Sequence, residues 1–189
     1  MCMRRDARAN REKILTVATT LFAQQGVANV GMKELAEAAH IGVGTLYRNY
    51  PNKGALCMAL IRDEMERYTT RENAYLDTTT DDPQTQLVTI LQGYLDVRIA
   101  HEDFFAIIES ETTPLEFTQL LQTPIYHDRI ALLIRVLHRT QPESSAGYLQ
   151  FEADTVAAML RSRVFAFERH QRYLSSQDLL TYILKLLNQ

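Results

Sequence analysis

Cysteine, glycine and proline are all scarce in this chain. It has two cysteines, seven glycines and five prolines in 189 residues. Cys2 sits in a polar N-terminal stretch and Cys57 on a helical pattern. That pairing indicates no disulfide framework, and two thiols alone cannot build a structural zinc site. A reducing cytoplasm is the expected compartment. Few glycines and prolines argue against a sheet-rich fold with many tight turns, and Ala, Leu, Gln, Glu and Arg are plentiful. Long apolar runs are missing too. The longest aliphatic run is IALLI at 130–134, ended by Arg135, far short of the roughly 20 residues a membrane helix needs. Residues 4–23 mimic a signal peptide, with a basic start and then ILTVATTLFA. Their apolar positions, Ile14, Leu15, Ala18, Leu21 and Phe22, instead form the stripe of an amphipathic helix.

Catalytic signatures are also lacking. No GxSxG, Walker A, GxGxxG or HExxH pattern occurs. His101, Glu102 and Asp103 are adjacent and so point in different directions on a helix. His127 with Asp128, His138 and His170 are scattered. An enzyme is not expected, nor a cofactor, nor a metal site.

What remains is globular, with 46% apolar residues. The length allows one large domain or two small ones. Net charge is −3, unevenly spread. Residues 1–53 carry eight Lys+Arg against four Asp+Glu, and residues 54–189 carry 12 against 19. A basic first quarter on an acidic remainder suggests an anionic partner for the N-terminal part. A solvated basic tail is the alternative.

Helical periodicity predicts an all-α chain. Helices are expected over about 10–25, stopped by Gly26 as a C′ residue, then 32–39, 43–50 stopped by Pro51, and 53–75 capped by Asn52. TTTDDP at 78–83 reads as a linker, with Pro83 opening the next helix. Further helices are expected near 84–101, 103–111, 115–139, 147–171 and 176–188. No period-2 strand pattern and no internal repeat occurs.

Residues 41–53, IGVGTLYRNYPNK, stand out. Helix, short turn, short helix is the helix-turn-helix pattern. The second helix is too short to be stable alone and too polar to be buried all round. Leu46 and Tyr50 can face inward, leaving Thr45, Tyr47, Arg48 and Asn49 outside. An exposed short helix of this kind in a basic segment suits the DNA major groove. Gly44 leaves the backbone bare where a duplex would approach, and the amides at 43–45 can meet a phosphate. Arg48 can donate twice to a guanine edge, and Thr45 can contact a base. Tyr47 and Lys53 suit phosphates. A tight αα-corner with Tyr47 and Tyr50 packed is the alternative.

GMKELAEAAHIGVGTLYRNYPNKGAL at 31–56 resembles the DNA-binding signature of the TetR family of transcriptional regulators. Ile14, Ala18, Phe22 and Gly26 match as well. The resemblance covers about a quarter of the chain. It implies a cytoplasmic all-helical homodimer. A three-helix DNA-binding domain would occupy residues 1–53, ordered from about residue 10. A linking helix would join it to an effector-binding and dimerisation domain over 54–189. DNA contacts are implied at Lys33, Val43, Gly44, Thr45, Tyr47, Arg48 and Lys53, with Leu35, Ala36, Leu46 and Tyr50 packing. This chain departs from the pattern where Gly31 replaces a capping Thr or Ser, Gly42 a Ser, and His40 a turn Gly. If that turn needs a positive φ, His tolerates it better than most residues other than glycine.

The resemblance makes repression of a palindromic operator, relieved by a small-molecule effector, the expected mode. A ligand-independent DNA-binding or co-activator protein working through a protein partner is the alternative. The helix near 147–171 carries Phe151, Thr155, Ala158, Met159, Ser162 and Ala166 at 3–4 spacing. With Leu179, Leu180, Ile183, Leu184 and Leu187 of the last helix it suggests a two-fold four-helix interface, or else an intrachain core. Candidate ligand residues are Tyr94, Arg98, Phe104, Phe105, Ile108, Phe117, Tyr126 and Met159, each of which also suits plain core.

Overall fold

The computed structural model describes the backbone of residues 2–187 and the side chains of 9–187. The first helix starts at Cys2, ahead of the start expected near residue 10, so Cys2 does not lie in a tail before it; the expected end of the last helix at residue 188 lies outside what is described. Among the described residues there are eleven helices and no strand. They are α1 (Cys2–Gln25), α2 (Met32–Ala38), α3 (Val43–Asn49), α4 (Lys53–Thr78), α5 (Pro83–Ala100), α6 (Glu102–Glu111), α7 (Pro114–Leu120), α8 (Pro124–Thr140), α9 (Ala146–Leu160), α10 (Arg163–His170) and α11 (Ser176–Leu187). None is long and apolar enough to cross a membrane.

Local chemistry sets most of these boundaries. Gly26 ends α1 at φ +81°, its N–H donating to the Phe22 carbonyl at 2.9 Å, the left-handed stop that glycine adopts without a Cβ clash. Asn52 Oδ1 accepts the Ala55 amide at the start of α4. Asp82 caps α5 through the Gln84 and Thr85 amides, with Pro83 at the first helical position.

Two expected helices are each broken in two. The 115–139 helix is α7 and α8, because Pro124 opens a new helix and Thr123 caps it through the Tyr126 amide. Proline has no N–H to give to the ladder of a continuing helix. The 147–171 helix is α9 and α10, because Ser162 turns its hydroxyl onto the Phe165 amide.

The chain folds as two compact units. One comprises the residues up to Asp63 with Asp103–Thr112; the other comprises Glu64–Glu102 with the residues from Thr113 on. The core of the first is Ile14, Ala18 and Phe22 of α1, Leu35 and Ala36 of α2, Leu46, Leu56 and Ile61, all buried. Helix α6 belongs to this unit. It adds buried Phe105 and Ile108, sets Phe104 edge-on to Phe22 at 5.8 Å, and accepts the Gly54 amide on Glu111 at 2.8 Å. Each large apolar side chain buried this way contributes about 1.5–3 kcal/mol.

The second unit packs α5 against α8 and α11, and α8 against α9. Tyr68 of α4, Ile90 and Leu91 of α5, Leu133 of α8, Val156 of α9 and Leu180 of α11 are in its core. Leu179, Ile183 and Leu187 are buried in the same chain as well. The apolar side of α11 is thus intrachain core, and not the free interface face that its pattern also allowed.

Candidate functional site

Helix α3 has seven residues, too few to hold itself together. Leu46 and Tyr50 anchor it, both buried, with Arg11 stacked 5.7 Å from the centre of the Tyr50 ring. Anchoring one face orients the other. Gly44, Tyr47 and Arg48 are exposed, and Tyr47 keeps 45% of its surface in solvent. Nothing lies within 4 Å of where a Cβ on Gly44 would stand, so the backbone there is bare on the outside. One Arg48 amino group donates to Thr45 Oγ1 at 3.0 Å, which steers the guanidinium along the outer face and leaves its other donors free for an acceptor. Asn49 is half-buried, and its Nδ2 donates to the Thr45 carbonyl. Its side chain is thereby tied back to its own helix.

The turn before α3 is a Schellman motif closed by His40. Its φ is +50°, its N–H donates to the Glu37 carbonyl at 2.9 Å, and the Ile41 N–H donates to the Ala36 carbonyl at 3.0 Å. Histidine carries the left-handed conformation that glycine would adopt at no cost. Gly31 and Gly42 cap α2 and α3 without a side-chain bond. Glu34 compensates at the first: it accepts the Gly31 amide at 3.4 Å and the Gln25 side-chain amide at 2.9 Å. At the second, the Thr45 amide donates to the Gly42 carbonyl at 2.8 Å. That engages one of the three amides expected to meet a phosphate.

Val43 is half-buried, and Lys33 is exposed on α2. Lys53 is half-buried, its Nζ donating to the carbonyls of Val27 at 2.9 Å and Ala28 at 3.3 Å. Two of its three donors therefore brace the turn after α1, and one remains. Below it, burial pushes the Cys57 thiol up to about 12, against the opposing pull of the Lys53 charge.

The eight ligand candidates are divided between the two units. Phe104, Phe105 and Ile108 belong to the first unit, the other five to the second. Arg98 is buried, with its Nε on the Leu160 carbonyl at 2.7 Å and its guanidinium over Phe165 at 5.4 Å. It neutralises the negative end of α9. Phe117 is exposed beneath Arg161, and Met159 is half-buried. The Tyr126 hydroxyl donates to Asp154 at 2.5 Å, and burial together with that carboxylate pushes it up to about 12. Tyr94 is fully buried, and its hydroxyl has no hydrogen-bond partner.

Sequence reasoning missed Arg129. Only 6% of it is exposed, and its Nε has no hydrogen-bond partner. Its guanidinium lies over two rings, 5.3 Å from the centre of Tyr94 and 5.2 Å from that of Tyr126. A signal existed: Arg129 shares the α8 face of Leu132, Leu133 and Val136, three, four and seven residues on. Among the described residues, no three His, Cys, Asp or Glu side chains gather to hold a metal.

Comparison with known proteins places this geometry. Residues 14–60 match the family model of bacterial regulatory proteins, tetR family. An HTH-type transcriptional regulator of Staphylococcus aureus (strain MRSA252) is 28% identical over 184 residues, covering 97% of this chain and 95% of that protein. The fold is shared with the Thermus thermophilus FadR, a TetR-family transcriptional repressor in complex with lauroyl-CoA. Its TM-score is 0.76 at 18% identity, over 94% of this chain and 92% of that one. The Bacillus subtilis transcriptional regulator FadR, in complex with stearoyl-CoA, gives 0.63 at 16% identity, over 93% and 96%. These relatives are transcriptional regulators and not enzymes. Residues 14–60, with the helix-turn-helix at 32–49, thus form a DNA-binding domain of the tetR family of bacterial regulatory proteins, and the whole chain has the fold of TetR-type regulators.

Proposed function

We propose that the protein is a homodimeric repressor that lays α3 of each subunit in the major groove of a palindromic operator and lets go when a small molecule binds the second unit. The observation that carries this reading is the outer face of α3. Arg48 and Thr45 form a pair there, Tyr47 stands exposed beside it, and Gly44 is bare. Arg48 reads a guanine edge, and Thr45 positions it and touches the neighbouring base. Tyr47, Lys33 and the remaining Lys53 donor meet phosphates and fix the register. Residues 1–53 form the reading head and 54–189 the effector and dimer part. Effector binding displaces α4 and changes the separation of the two heads, so the effector must prefer the state that does not bind DNA.

The test is fluorescence anisotropy on DNA from upstream of the protein's own gene, beside a scrambled duplex, at two salt concentrations. Tight binding to the upstream DNA alone is expected. Lauroyl-CoA, which one structural relative holds, and its free acid, laurate, are added side by side, and saturable release by one of them is the expected response. Weak, equal, salt-sensitive binding to both duplexes would sink the autonomous repressor and favour a regulator that works through a protein partner.

A further inference from the structure

The unpartnered groups inside the second unit point to the chemistry of its ligand. Arg129 and Tyr94 are both more than nine-tenths buried, and each has a polar atom without a hydrogen-bond partner: Nε of the arginine and the hydroxyl of the tyrosine. They adjoin, since the Arg129 guanidinium lies 5.3 Å from the centre of the Tyr94 ring. A buried guanidinium ordinarily pairs with a carboxylate. Here the nearby acids are engaged elsewhere. Asp154 accepts from the Tyr126 hydroxyl at 2.5 Å and from Gln150 Nε2 at 2.9 Å. Glu72 is buried against Arg71 at 2.6 Å. Arg129 makes no ion pair or hydrogen bond among the described residues; its contacts there are the faces of Tyr94 and Tyr126. A ring face offers the guanidinium no acceptor oxygen, so the Nε edge, the one that grips a carboxylate side-on with two parallel N–H donors, keeps its Nε–H without a partner.

We propose that the second unit takes an effector bearing a carboxylate on an apolar body, with the carboxylate seated on the Nε edge of Arg129 and accepting a third hydrogen bond from the Tyr94 hydroxyl. This rests on the effector-binding reading above and gives it a ligand class. The body would lie among aliphatic and aromatic neighbours, as in most buried small-molecule sites. An ester or alcohol of the same body would leave a buried charge unpaired and bind much more weakly.

The experiment needs no DNA, so its failure is separable from failure of operator binding. The full chain is labelled with nitrogen-15. The arginine Nε–H resonances are recorded during titration with octanoate and benzoate, beside octanol and benzyl alcohol. The resonance lost in Arg129→Met is thereby assigned to Arg129. A saturable shift of that resonance with either acid and not with the alcohols is expected, with at least a tenfold loss of acid affinity in Arg129→Met and a smaller loss in Tyr94→Phe. Arg129→Met removes an unpaired buried charge while keeping an apolar stem, so its unliganded melting temperature should be equal or higher. An Arg129 resonance unmoved by both acids, or moved equally by acids and alcohols, overturns the proposal. So does a clear drop in melting temperature of Arg129→Met, which would make Arg129 a structural group.

Discussion

Arg48 and Lys53 differ in what their nitrogens already touch. Arg48 has one local bond to Thr45 and an exposed fork. Arg48→Ala should therefore leave stability nearly unchanged and reduce discrimination between operator and scrambled DNA by about 1–3 kcal/mol. Equal losses on both duplexes in an anisotropy titration would contradict its reading role. Lys53 is bound to the Val27 and Ala28 carbonyls, and bonds from a charged donor contribute about 1.5–3 kcal/mol. Lys53→Met should lower the urea midpoint and weaken binding to every duplex with a shallower salt slope. Unchanged stability would mean that the lysine does not brace the turn in solution. Cys57 gives a pH signature. Its thiol moves from 9.0 in an ordinary setting to about 12 in the fold because burial disfavours the thiolate. The unfolded chain then loses this proton first, so stability is fully present below pH 9 and falls as pH rises through that window toward 12. Urea titrations across the window should show a shallower decline for Cys57→Ala than for the natural chain, and parallel slopes would refute it. Much at this scale was legible from residue type. His40 does take the positive φ that its place after α2 implied, and Asn52 does cap α4. Periodicity gives a face and not a partner, however. It therefore could not show that Asn49 is tied to the Thr45 carbonyl or Arg98 to that of Leu160, and it passed over Arg129.

Elements meet where side chains allow close approach, and α4 against α5 depends on Gly93. A Cβ there would stand 3.0 Å from Glu72 Oε1 and 3.1 Å from the Tyr68 ring. Tyr68 cannot give way freely, because it is buried and its hydroxyl donates to the Ile90 carbonyl at 2.9 Å. Gly93→Ala gains helix propensity, about 1 kcal/mol in an open helix, yet overpacking of a buried site costs about 1–3 kcal/mol. A net loss of stability by urea denaturation is expected, and a gain would show that the two helices have room to spread. Gly93 drew no attention in the sequence, since a glycine within a helical pattern shows nothing of the neighbouring helix. The broken helices have a similar cause. Pro124 and Ser162 lie inside apolar patterns that continue at 3–4 spacing on both sides, and the pattern outweighed the stop signals. Where stop signals cluster, as in TTTDDP at 78–83, the boundary fell where sequence placed it, with α5 starting at Pro83.

At the scale of the whole molecule, the proposed homodimer raises the question of which surface would join its two subunits. Burial inside the chain removes the apolar side of α11 from consideration. What α9 to α11 leave outside is still strongly apolar. Phe151 is 69% exposed, and Tyr148, Val164, Phe167, Tyr182 and Leu186 are exposed as well. Phe151, Thr155 and Ala158 are i, i+4 and i+7 on α9, one face with an aromatic and two small neighbours, and all three are exposed. Tyr182 and Leu186 repeat the spacing on α11. Gln141 Nε2 donates to Glu152 of α9 at 3.0 Å and to the Leu187 carbonyl of α11 at 3.4 Å, which ties the two helices to a common point. A two-fold axis through such a face would set Phe151 against the small residues of the other copy, the self-complementary contact that a symmetric dimer requires. Truncating a central aromatic anchor of an interface typically costs about 2 kcal/mol or more, and a buried charge costs further. Phe151→Lys should therefore yield a folded monomer by light scattering coupled to size exclusion, with unchanged helical circular dichroism because residue 151 is exposed in the single chain. Its binding to a full palindrome should collapse to that of a half-site, since the second head is no longer tethered. A dimer that survives Phe151→Lys and equally Tyr182→Lys would place the subunit contact on another surface and detach the operator symmetry from α9 and α11.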